Sequence, residues 1–305
     1  MSKVSIIGGG HVGMSAAFAM LLRETARELV LFDRDKEKML GEQLDFQHSL
    51  AFLATTKIVA AESLEDTKDS DVIVFTAGAA QRVGESRLDL LNTNKGILKS
   101  TLPEIVKLSP NTVVIIVSNP VDILTYEATK LLNLPKGRVF GTGTSLDTAR
   151  FRFHLSELLN INTKNIHAYV LGEHGDSSFP VVSSADVGGQ TLTNMEGITR
   201  DQIQECFIKT KEAAQTIIAA KGATYYAIGV VISQLVHSVL NDTKRIFPVS
   251  TVLHGEYGLD DVSLSVPSEL GKEGVEKILE IPLSNEEKKQ MENSANILKE
   301  LIISE

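Results

Sequence analysis

One histidine stands in a setting that suits proton transfer. His174 lies within Leu171-Gly-Glu-His-Gly-Asp-Ser177, directly after an apolar run that is typical of a strand. The nearby glycines leave its ring accessible, and imidazole titrates near neutrality, so it can protonate a carbonyl oxygen as a hydride reaches the carbon. We predict that His174 carries the proton in such a reaction. Four other histidines have helical or strand context only and are interpreted as structural: His48, His154, His237 and His254.

A carboxylate and an arginine stand at helical spacing in Ser145-Leu-Asp-Thr-Ala-Arg150. A catalytic histidine needs a carboxylate that fixes its tautomer and stabilises imidazolium, and Asp147 is the candidate. Arg150 falls on the same helix face, three residues later. Its planar guanidinium can bind a substrate carboxylate through two parallel hydrogen bonds. Taken alone, the segment also fits an ordinary helix with an N-terminal Asp and a surface Arg.

A glycine-rich turn near the beginning of the chain predicts a dinucleotide site. Gly8, Gly10 and Gly13 form the pattern G-x-G-x-x-G between a strand-like run and an apolar helix. In this context the glycines permit a tight turn, a close approach to a pyrophosphate and close packing of helix on strand. Asp33, twenty residues after Gly13, ends the next strand-like run and can bind the ribose hydroxyls. The carboxylate favours NAD over NADP, while Arg34 slightly weakens that preference.

The elements that position these residues alternate between strands and helices in the first half of the chain. Val- and Ile-rich runs without alternation suit strands that are buried on both faces. The expected strands are Val4–Ile7, Leu29–Phe32, Lys57–Ala60, Val72–Thr76, Val113–Val117 and Arg138–Phe140. Helical spacing separates them, for example in Val12–Leu22 and Leu88–Leu108. We predict an α/β fold, a doubly wound parallel sheet of the Rossmann type, over residues 1–142.

The second half, residues 143–305, has a mixed pattern that predicts an α+β substrate domain. The expected helices are Leu146–Leu159, a long region from Thr199 to Leu240 with a kink at Gly222, and Ser284–Leu301. The expected strands are His167–Leu171, Val249–His254 and Val262–Val266.

Composition excludes several classes of function. The net charge of −9 argues against nucleic acid or an anionic membrane as a partner. No apolar run reaches the ~20 residues of a membrane span, and no cluster has metal-ligand spacing. The single cysteine, Cys206, is interpreted as a packing residue. With a strand already at Lys3–Ile7, we expect no secretory signal and a cytoplasmic protein.

Six segments together resemble the ordered motifs of the L-lactate/malate dehydrogenase family. They are Gly8–Gly13, Thr76-Ala-Gly78, Arg87-Leu-Asp-Leu, Ser118-Asn-Pro-Val-Asp122, Asp147-Thr-Ala-Arg150 and Gly172-Glu-His-Gly-Asp176. The resemblance implies that His174 is the proton donor and acceptor, Asp147 its partner and Arg150 the carboxylate clamp. It further implies that Arg87, on a mobile loop, stabilises the developing alkoxide, and that Asn119 binds the substrate oxygen beside the nicotinamide.

The resemblance also implies a set of residues that contact NAD. These are Gly8, Gly10, Val12, Gly13, Asp33, Lys38, Thr76, Gly78, Ala79, Ser100, Val117, Asn119 and Thr142.

The choice of substrate depends on Gln81. This position resembles the one where malate enzymes of the family have arginine. A neutral glutamine gives a second carboxylate no countercharge. Arg82 is one residue out of place, and we expect it to point elsewhere. Thr224 and Glu85 resemble the lactate type, whereas Val83 departs from the proline of many bacterial enzymes. Pyruvate and L-lactate are therefore favoured. The alternatives are a malate dehydrogenase, a branched-chain 2-hydroxyacid dehydrogenase and a catalytically silent NAD-binding protein.

Two further cations match residues that bind an effector in bacterial members of the family. Arg152 and His167 resemble the pair that holds fructose 1,6-bisphosphate across a subunit interface. The alternative is that both are surface residues without a regulatory role. The resemblance implies a homotetramer or a dimer, in agreement with helices that are apolar on more than one face.

Overall fold

The computed structural model describes residues 2–79 and 87–303 of the 305-residue chain. Two compact units divide the chain. The first comprises Met1–Thr142, Tyr225–Arg245 and Glu269–Lys277, and the second comprises Gly143–Thr224, Ile246–Ser268 and Ile278–Glu305.

The strands of the described residues are β1 (Lys3–Ile7), β2 (Glu28–Phe32), β3 (Lys57–Ala60), β4 (Val72–Phe75), β5 (Val113–Ile116), β6 (Val139–Gly141), β7 (Ile166–Leu171), β8 (Phe179–Val187), β9 (Gln190–Thr191), β10 (Arg245–His254), β11 (Asp260–Gly271) and β12 (Gly274–Ile278). The helices are α1 (His11–Leu22), α2 (Lys36–Ser49), α3 (Arg87–Leu108), α4 (Val121–Leu132), α5 (Ser145–Leu159), α6 (Arg200–Lys221), α7 (Tyr226–Leu240) and α8 (Asn285–Ile303).

The first unit contains a doubly wound parallel sheet, which confirms the predicted fold class. Its six parallel strands are ordered β6-β5-β4-β1-β2-β3. The chain runs outward from β1 to β3 and then returns to place β4 on the other side of β1. This reversal opens a crevice at the carboxyl ends of β1 and β4, where folds of this kind bind their ligands. All four residues of β4 and of β5 are buried, as expected for central parallel strands.

The predicted kink at Gly222 is instead the end of a helix. Gly222 adopts a φ of +85° and caps α6 through a hydrogen bond from its N–H to the carbonyl of Ile218. This left-handed conformation is accessible to glycine at little cost, and it terminates the helix. The next helix, α7, begins at Tyr226 and packs on α1. At their crossing, a Cβ on Gly229 would lie 2.7 Å from the backbone of Ser15, so the contact requires glycine.

The second unit is built from antiparallel strands and helices, as predicted. The hairpin of β7 and β8 packs with α5 and α6. Their shared core contains Phe151, Leu155, Ile166, Val170 and Phe207. Cys206 belongs to the same core, and burial raises the pKa of its thiol, in agreement with a packing role.

Among the described residues, none of the helices is both long and apolar enough to cross a membrane. Within the same residues, no group of three or more His, Cys, Asp or Glu side chains could hold a metal ion.

Glu287 anchors the first turn of α8 to β8. Its buried carboxylate accepts hydrogen bonds from the backbone N–H groups of Val182 at 2.8 Å, Ser183 at 3.0 Å and Ser284 at 2.7 Å, and from the Ser183 hydroxyl. Burial would raise the pKa of Glu287, but the hydrogen bonds from Ser183 and the backbone outweigh it and hold the pKa below its usual value.

We expect Glu287→Gln to lower the free energy of unfolding by about 1–3 kcal/mol, because buried donors lose a charged acceptor. A carboxylate whose pKa is lowered on folding stabilises the folded state above its unfolded pKa of about 4.3. That stabilisation is lost as the pH falls through the folded pKa. Urea unfolding at neutral and acidic pH should therefore show a difference between wild type and variant that shrinks in acid. Glu286→Gln, on the exposed side of the same turn, is the matched control; an equal loss in both variants would contradict the anchoring role.

Candidate active site

The glycine-rich turn has the geometry that a phosphate-binding turn requires. Gly8 has a φ of +117°, and a Cβ there would lie 2.6 Å from the backbone nitrogen of Ala77. A Cβ on Gly13 would lie 2.1 Å from the carbonyl oxygen of Gly8, so helix and strand can approach only without it. Gly10, the N-cap of α1, has no atom of the described residues within 4 Å of a Cβ position. Open space before a helix N-terminus suits a pyrophosphate.

Asp33 is tied to this turn. Its Oδ2 accepts a hydrogen bond of 2.6 Å from the N–H of Gly9, and its Oδ1 accepts one of 3.1 Å from the N–H of Asp35. The carboxylate at the end of β2 therefore lies beside the turn, and it retains lone pairs for a ribose hydroxyl. Lys38 is exposed in the first turn of α2, and its backbone N–H donates a hydrogen bond to the side chain of the N-cap residue, Asp35.

Asn94, which the sequence reasoning missed, joins two predicted cofactor positions. Its buried side chain accepts a hydrogen bond from the N–H of Ala79 at 2.7 Å and donates one to the carbonyl of Asn119 at 2.7 Å. The peptide bond from Asn119 to Pro120 is cis. A signal was present, because Asn94 is a polar residue in the apolar stripe formed by Leu91 and Leu98 on α3.

The remaining cofactor positions fall into two groups. Thr76 follows β4, and its hydroxyl donates to the carbonyl of Gly8 at 2.9 Å. The same edge of the sheet carries four more of them. Val12 lies in the first turn of α1, and the residues that come after β4, β5 and β6 are Gly78, Val117 and Thr142. Ser100 lies six residues beyond Asn94 on α3, roughly 9 Å along the helix axis. Its exposed hydroxyl donates to the carbonyl of Ile97 in its own helix.

In the second unit, two predicted catalytic side chains, His174 and Asp147, meet the predicted carboxylate clamp Arg150. The Nδ1 atom of His174 lies 2.7 Å from Oδ2 of Asp147, and Nη1 of Arg150 donates to Oδ1 of Asp147 at 3.2 Å. The side chain of His174 is 29% exposed and that of Arg150 is 12% exposed, so the ring can be reached from solvent while the ion pair is sheltered. This arrangement can hold a histidine in one orientation with its Nε2 directed away from the carboxylate.

His174 and Arg150 keep Asp147 charged. Burial would raise the pKa of this carboxyl group, but the charge and hydrogen bond of His174, followed by those of Arg150, outweigh it. The pKa of Asp147 is therefore lowered, and the group remains a carboxylate at neutral pH.

Two threonines that sequence reasoning missed hold Asp147 and His174 within reach of each other. Thr144 donates a hydrogen bond from its hydroxyl to the carbonyl of Val170 at 2.5 Å, and the N–H of Val170 donates to the hydroxyl of Thr148 at 2.9 Å. These bonds join the first turn of α5 to the last residues of β7. Since Asp147 lies on α5 and His174 follows β7, the pair meets where the two elements are joined.

The predicted substrate residues are described in part. Thr224 lies after the glycine cap of α6, and its buried hydroxyl has no hydrogen-bond partner among the described residues. Arg87 begins α3, but its side chain lies outside the described part of the chain. Gln81, Arg82, Val83 and Glu85 also lie outside the described residues.

The two predicted effector residues lie on α5 and β7, which pack against each other. Arg152 is half-buried, donates from Nε to the carbonyl of Ala168 at 2.8 Å and places its guanidinium carbon 5.2 Å from the centre of the Tyr169 ring. His167 is exposed on β7 and lines a cavity of about 310 Å³ together with Tyr169 and Asp186.

A doubly wound sheet with a glycine-rich turn and an acid after the second strand, in one chain with a histidine–aspartate pair, is typical of a nicotinamide-dependent dehydrogenase. Residues 2–141 match the lactate/malate dehydrogenase, NAD binding domain family. Residues 144–304 match the lactate/malate dehydrogenase, alpha/beta C-terminal domain family. The chain belongs to the lactate/malate dehydrogenase family, and the prediction of an NAD-binding domain is confirmed.

Individual relatives are similar over their whole lengths. The chain is 43% identical to L-lactate dehydrogenase 1 of Clostridium acetobutylicum, over 99% of this chain and 98% of the relative. It is 44% identical to the L-lactate dehydrogenase of Thermoanaerobacterium saccharolyticum, with the same two shares. The crystal structure of the minor L-lactate dehydrogenase from Enterococcus mundtii, in its ligands-bound form, superimposes with a TM-score of 0.96 at 37% identity, covering 99% of this chain and 98% of that one.

Proposed function

We propose that the chain is an NAD-dependent L-lactate dehydrogenase, which interconverts pyruvate and L-lactate. The observation that carries the proposal is the contact of His174 with Asp147 at 2.7 Å, with Arg150 on the opposite carboxylate oxygen. Full-length identity of 43% to a relative with this activity supports the same reaction. Pyruvate, NADH and one proton are converted to L-lactate and NAD⁺.

The residues of the glycine-rich turn fit NAD, because Gly10 leaves open space and Gly8 and Gly13 have none for a Cβ. When bound, the nicotinamide supplies or accepts the hydride. Asp33 binds the adenosine ribose, and the turn of Gly8–Gly13 binds the pyrophosphate. The other proposed contacts are Lys38, Thr76, Gly78, Ala79, Ser100, Val117, Asn119 and Thr142.

The proton moves through His174. Its Nε2–H donates to the ketone oxygen of pyruvate, so the proton passes to that oxygen as the carbonyl carbon is reduced. Asp147 accepts the Nδ1–H hydrogen bond, which fixes the tautomer and stabilises the imidazolium form before transfer. In the reverse direction neutral His174 takes the hydroxyl proton of lactate.

Five residues bind the substrate or select it. Arg150 binds the carboxylate of pyruvate through two hydrogen bonds. Arg87 and Asn119 stabilise the charge that develops on the substrate oxygen. Thr224 lies against the methyl group, and Gln81 leaves no countercharge for a second carboxylate.

The test is a steady-state assay of NADH oxidation with pyruvate, oxaloacetate and 2-oxoisocaproate. We expect the highest kcat/KM for pyruvate. An advantage of oxaloacetate by more than about tenfold would favour a malate dehydrogenase. A preference for 2-oxoisocaproate would favour a branched-chain 2-hydroxyacid dehydrogenase. Binding of NADH without turnover of any acid would indicate a catalytically silent protein.

Arg152 and His167 form half of a binding site for fructose 1,6-bisphosphate in this proposal. Opposed cations of two subunits repel one another, and a bisphosphate would relieve that repulsion. We expect the effector to increase activity at low pyruvate by about 5- to 150-fold, and Arg152→Gln to remove most of that increase. Lys164→Gln, which removes an equal charge from an exposed site in the same unit, should respond as wild type. An unchanged response in Arg152→Gln would contradict this site.

We also propose that the chain is a homotetramer or a dimer. Its first unit exposes large apolar side chains on three helices: Phe18, Leu22, Leu40, Leu44, Tyr226 and Val230. Burial of such side chains stabilises association. Analytical ultracentrifugation would give a multiple of the 33.1 kDa chain mass, and a monomer would contradict the proposal.

In this proposal residues 1–142 are the cofactor-binding domain and residues 143–305 the substrate domain, although Tyr225–Arg245 and Glu269–Lys277 of the second range pack within the first compact unit. A cytoplasmic location is consistent with a single buried cysteine, which needs no oxidising compartment.

A further inference from the structure

The segment that carries His174 is held by a residue from the distant C-terminal helix. Ser294, on α8, is fully buried. The N–H of Glu173 donates to its hydroxyl oxygen at 3.2 Å, and the hydroxyl lies 2.8 Å from the carbonyl oxygen of Ser177 and 2.9 Å from Oγ of Ser177. One side chain therefore binds the segment on both sides of His174.

The hydrogen-bond directions in this cluster are determined by the number of available protons. The hydroxyl of Ser177 donates to Oε2 of Glu173, so its proton is already used. The Ser294 proton is then the donor to Ser177, either to its carbonyl or to its Oγ.

The backbone also closes against Ser294 at Gly172. This glycine has a φ of +91°, and a Cβ there would lie only 2.5 Å from the hydroxyl oxygen of Ser294. Contacts at Gly172, Glu173 and Ser177 thus surround His174 along the chain. Because Glu287 anchors the start of α8 to β8, Ser294 is presented by a helix that is itself attached to the same unit.

We propose that Ser294 is a positioning residue for His174, which it keeps at hydrogen-bond distance from Asp147 by fixing the backbone from Gly172 to Ser177. The proposal rests on the proposed dehydrogenase function. Ser294 itself touches neither substrate nor cofactor; it acts through the placement of the imidazole. Small misplacements of reacting groups lower rates steeply, by up to about 10²-fold for 1 Å.

The experiment compares Ser294→Ala with wild type and with Ser268→Ala. Ser268 is an equally buried serine of the second unit, and among the described residues its hydroxyl binds the nearby carbonyl of Val266 alone. We expect Ser294→Ala to lower kcat for pyruvate by about tenfold, with an unchanged Kd for NADH by fluorescence titration. The pH at which pyruvate reduction falls to half should also move to lower values, because a looser contact with Asp147 stabilises imidazolium less. Ser268→Ala should differ from wild type by less than about twofold in kcat.

Each other outcome has a definite meaning. A kcat of Ser294→Ala within about twofold of wild type, or an unchanged pH profile, would overturn the positioning role while leaving the proposed function intact. A parallel loss of NADH affinity would also overturn it, since that indicates general disruption. If Ser294→Ala does not fold, Ser294→Cys replaces it, because a thiol is similar in size to the hydroxyl but forms only weak hydrogen bonds. The same criteria then apply to Ser294→Cys. Absence of pyruvate reduction by wild type would instead contradict the proposed function.

Discussion

We expect the substitution of His174 by asparagine to lower kcat/KM for pyruvate by about 10²–10⁴-fold, which is the range that a positioned general acid contributes. Asparagine is close in size and can still donate a hydrogen bond, but it cannot give up a proton to the ketone oxygen. Binding of NADH should persist, because the glycine-rich turn and Asp33 belong to the other unit. The measurements are steady-state kinetics of NADH oxidation and a fluorescence titration with NADH.

His154→Asn is the matched control for this substitution. His154 lies on α5, two turns after Asp147. Its Nδ1 atom is 3.5 Å from Oε2 of Glu157, which is a longer contact than that of His174 with Asp147. Its replacement should change kcat/KM by less than about twofold. A His174→Asn variant that retained more than about a tenth of wild-type activity would contradict the role of His174 as the proton carrier.

The pH dependence of the two directions provides a second test of the same residue. The pKa of Asp147 is lowered, since His174 and Arg150 outweigh the effect of burial, so this carboxylate does not change charge near neutrality. His174 must be protonated for pyruvate reduction and neutral for lactate oxidation. Reduction should therefore slow as the pH rises, and oxidation should slow as the pH falls. In Asp147→Asn the fall in pyruvate reduction should begin at lower pH, because the imidazolium loses its counterion.

The glycine-rich turn and the central strands of the first unit could be predicted because each depends on residues that are close in sequence. The spacing of Gly8, Gly10 and Gly13, followed by Asp33, depends on contacts within one strand–helix–strand unit. The buried runs of β4 and β5 are recognisable because central parallel strands are apolar on both faces. Both predictions needed only composition and order along the chain.

The supports of the active site could not be predicted in this way. Ser294 lies 117 positions from Ser177, and nothing in the pattern of α8 distinguishes it from an ordinary serine on a buried face. Thr148 binds Val170 across 22 positions. The helix break at Gly222 depends on a positive φ that the residue type permits but does not require. These features arise from tertiary packing, which a single sequence does not display.

Gln81→Arg should convert the preference from pyruvate to oxaloacetate. Gln81 lies outside the described residues, and this expectation follows from the charge that arginine adds. A second carboxylate that is removed from water without a partner is strongly disfavoured, and pairing it with arginine can recover about 3–5 kcal/mol. At about 1.4 kcal/mol per tenfold change, the ratio of kcat/KM for oxaloacetate to that for pyruvate should rise by about 10²- to 4 × 10³-fold. Steady-state NADH oxidation with each acid measures this ratio.

Two further variants separate the charge of residue 81 from its size and from its neighbour. Gln81→Met keeps a side chain of similar length without charge, and oxaloacetate should gain nothing from it. Arg82→Gln removes the arginine that stands one residue out of place, and we expect the substrate ratio to stay within about twofold of wild type. If Arg82→Gln instead abolishes activity on oxaloacetate while sparing pyruvate, Arg82 and not residue 81 is the partner of the second carboxylate. The preference for pyruvate would then depend on where Arg82 points, and the neutral glutamine would not explain it.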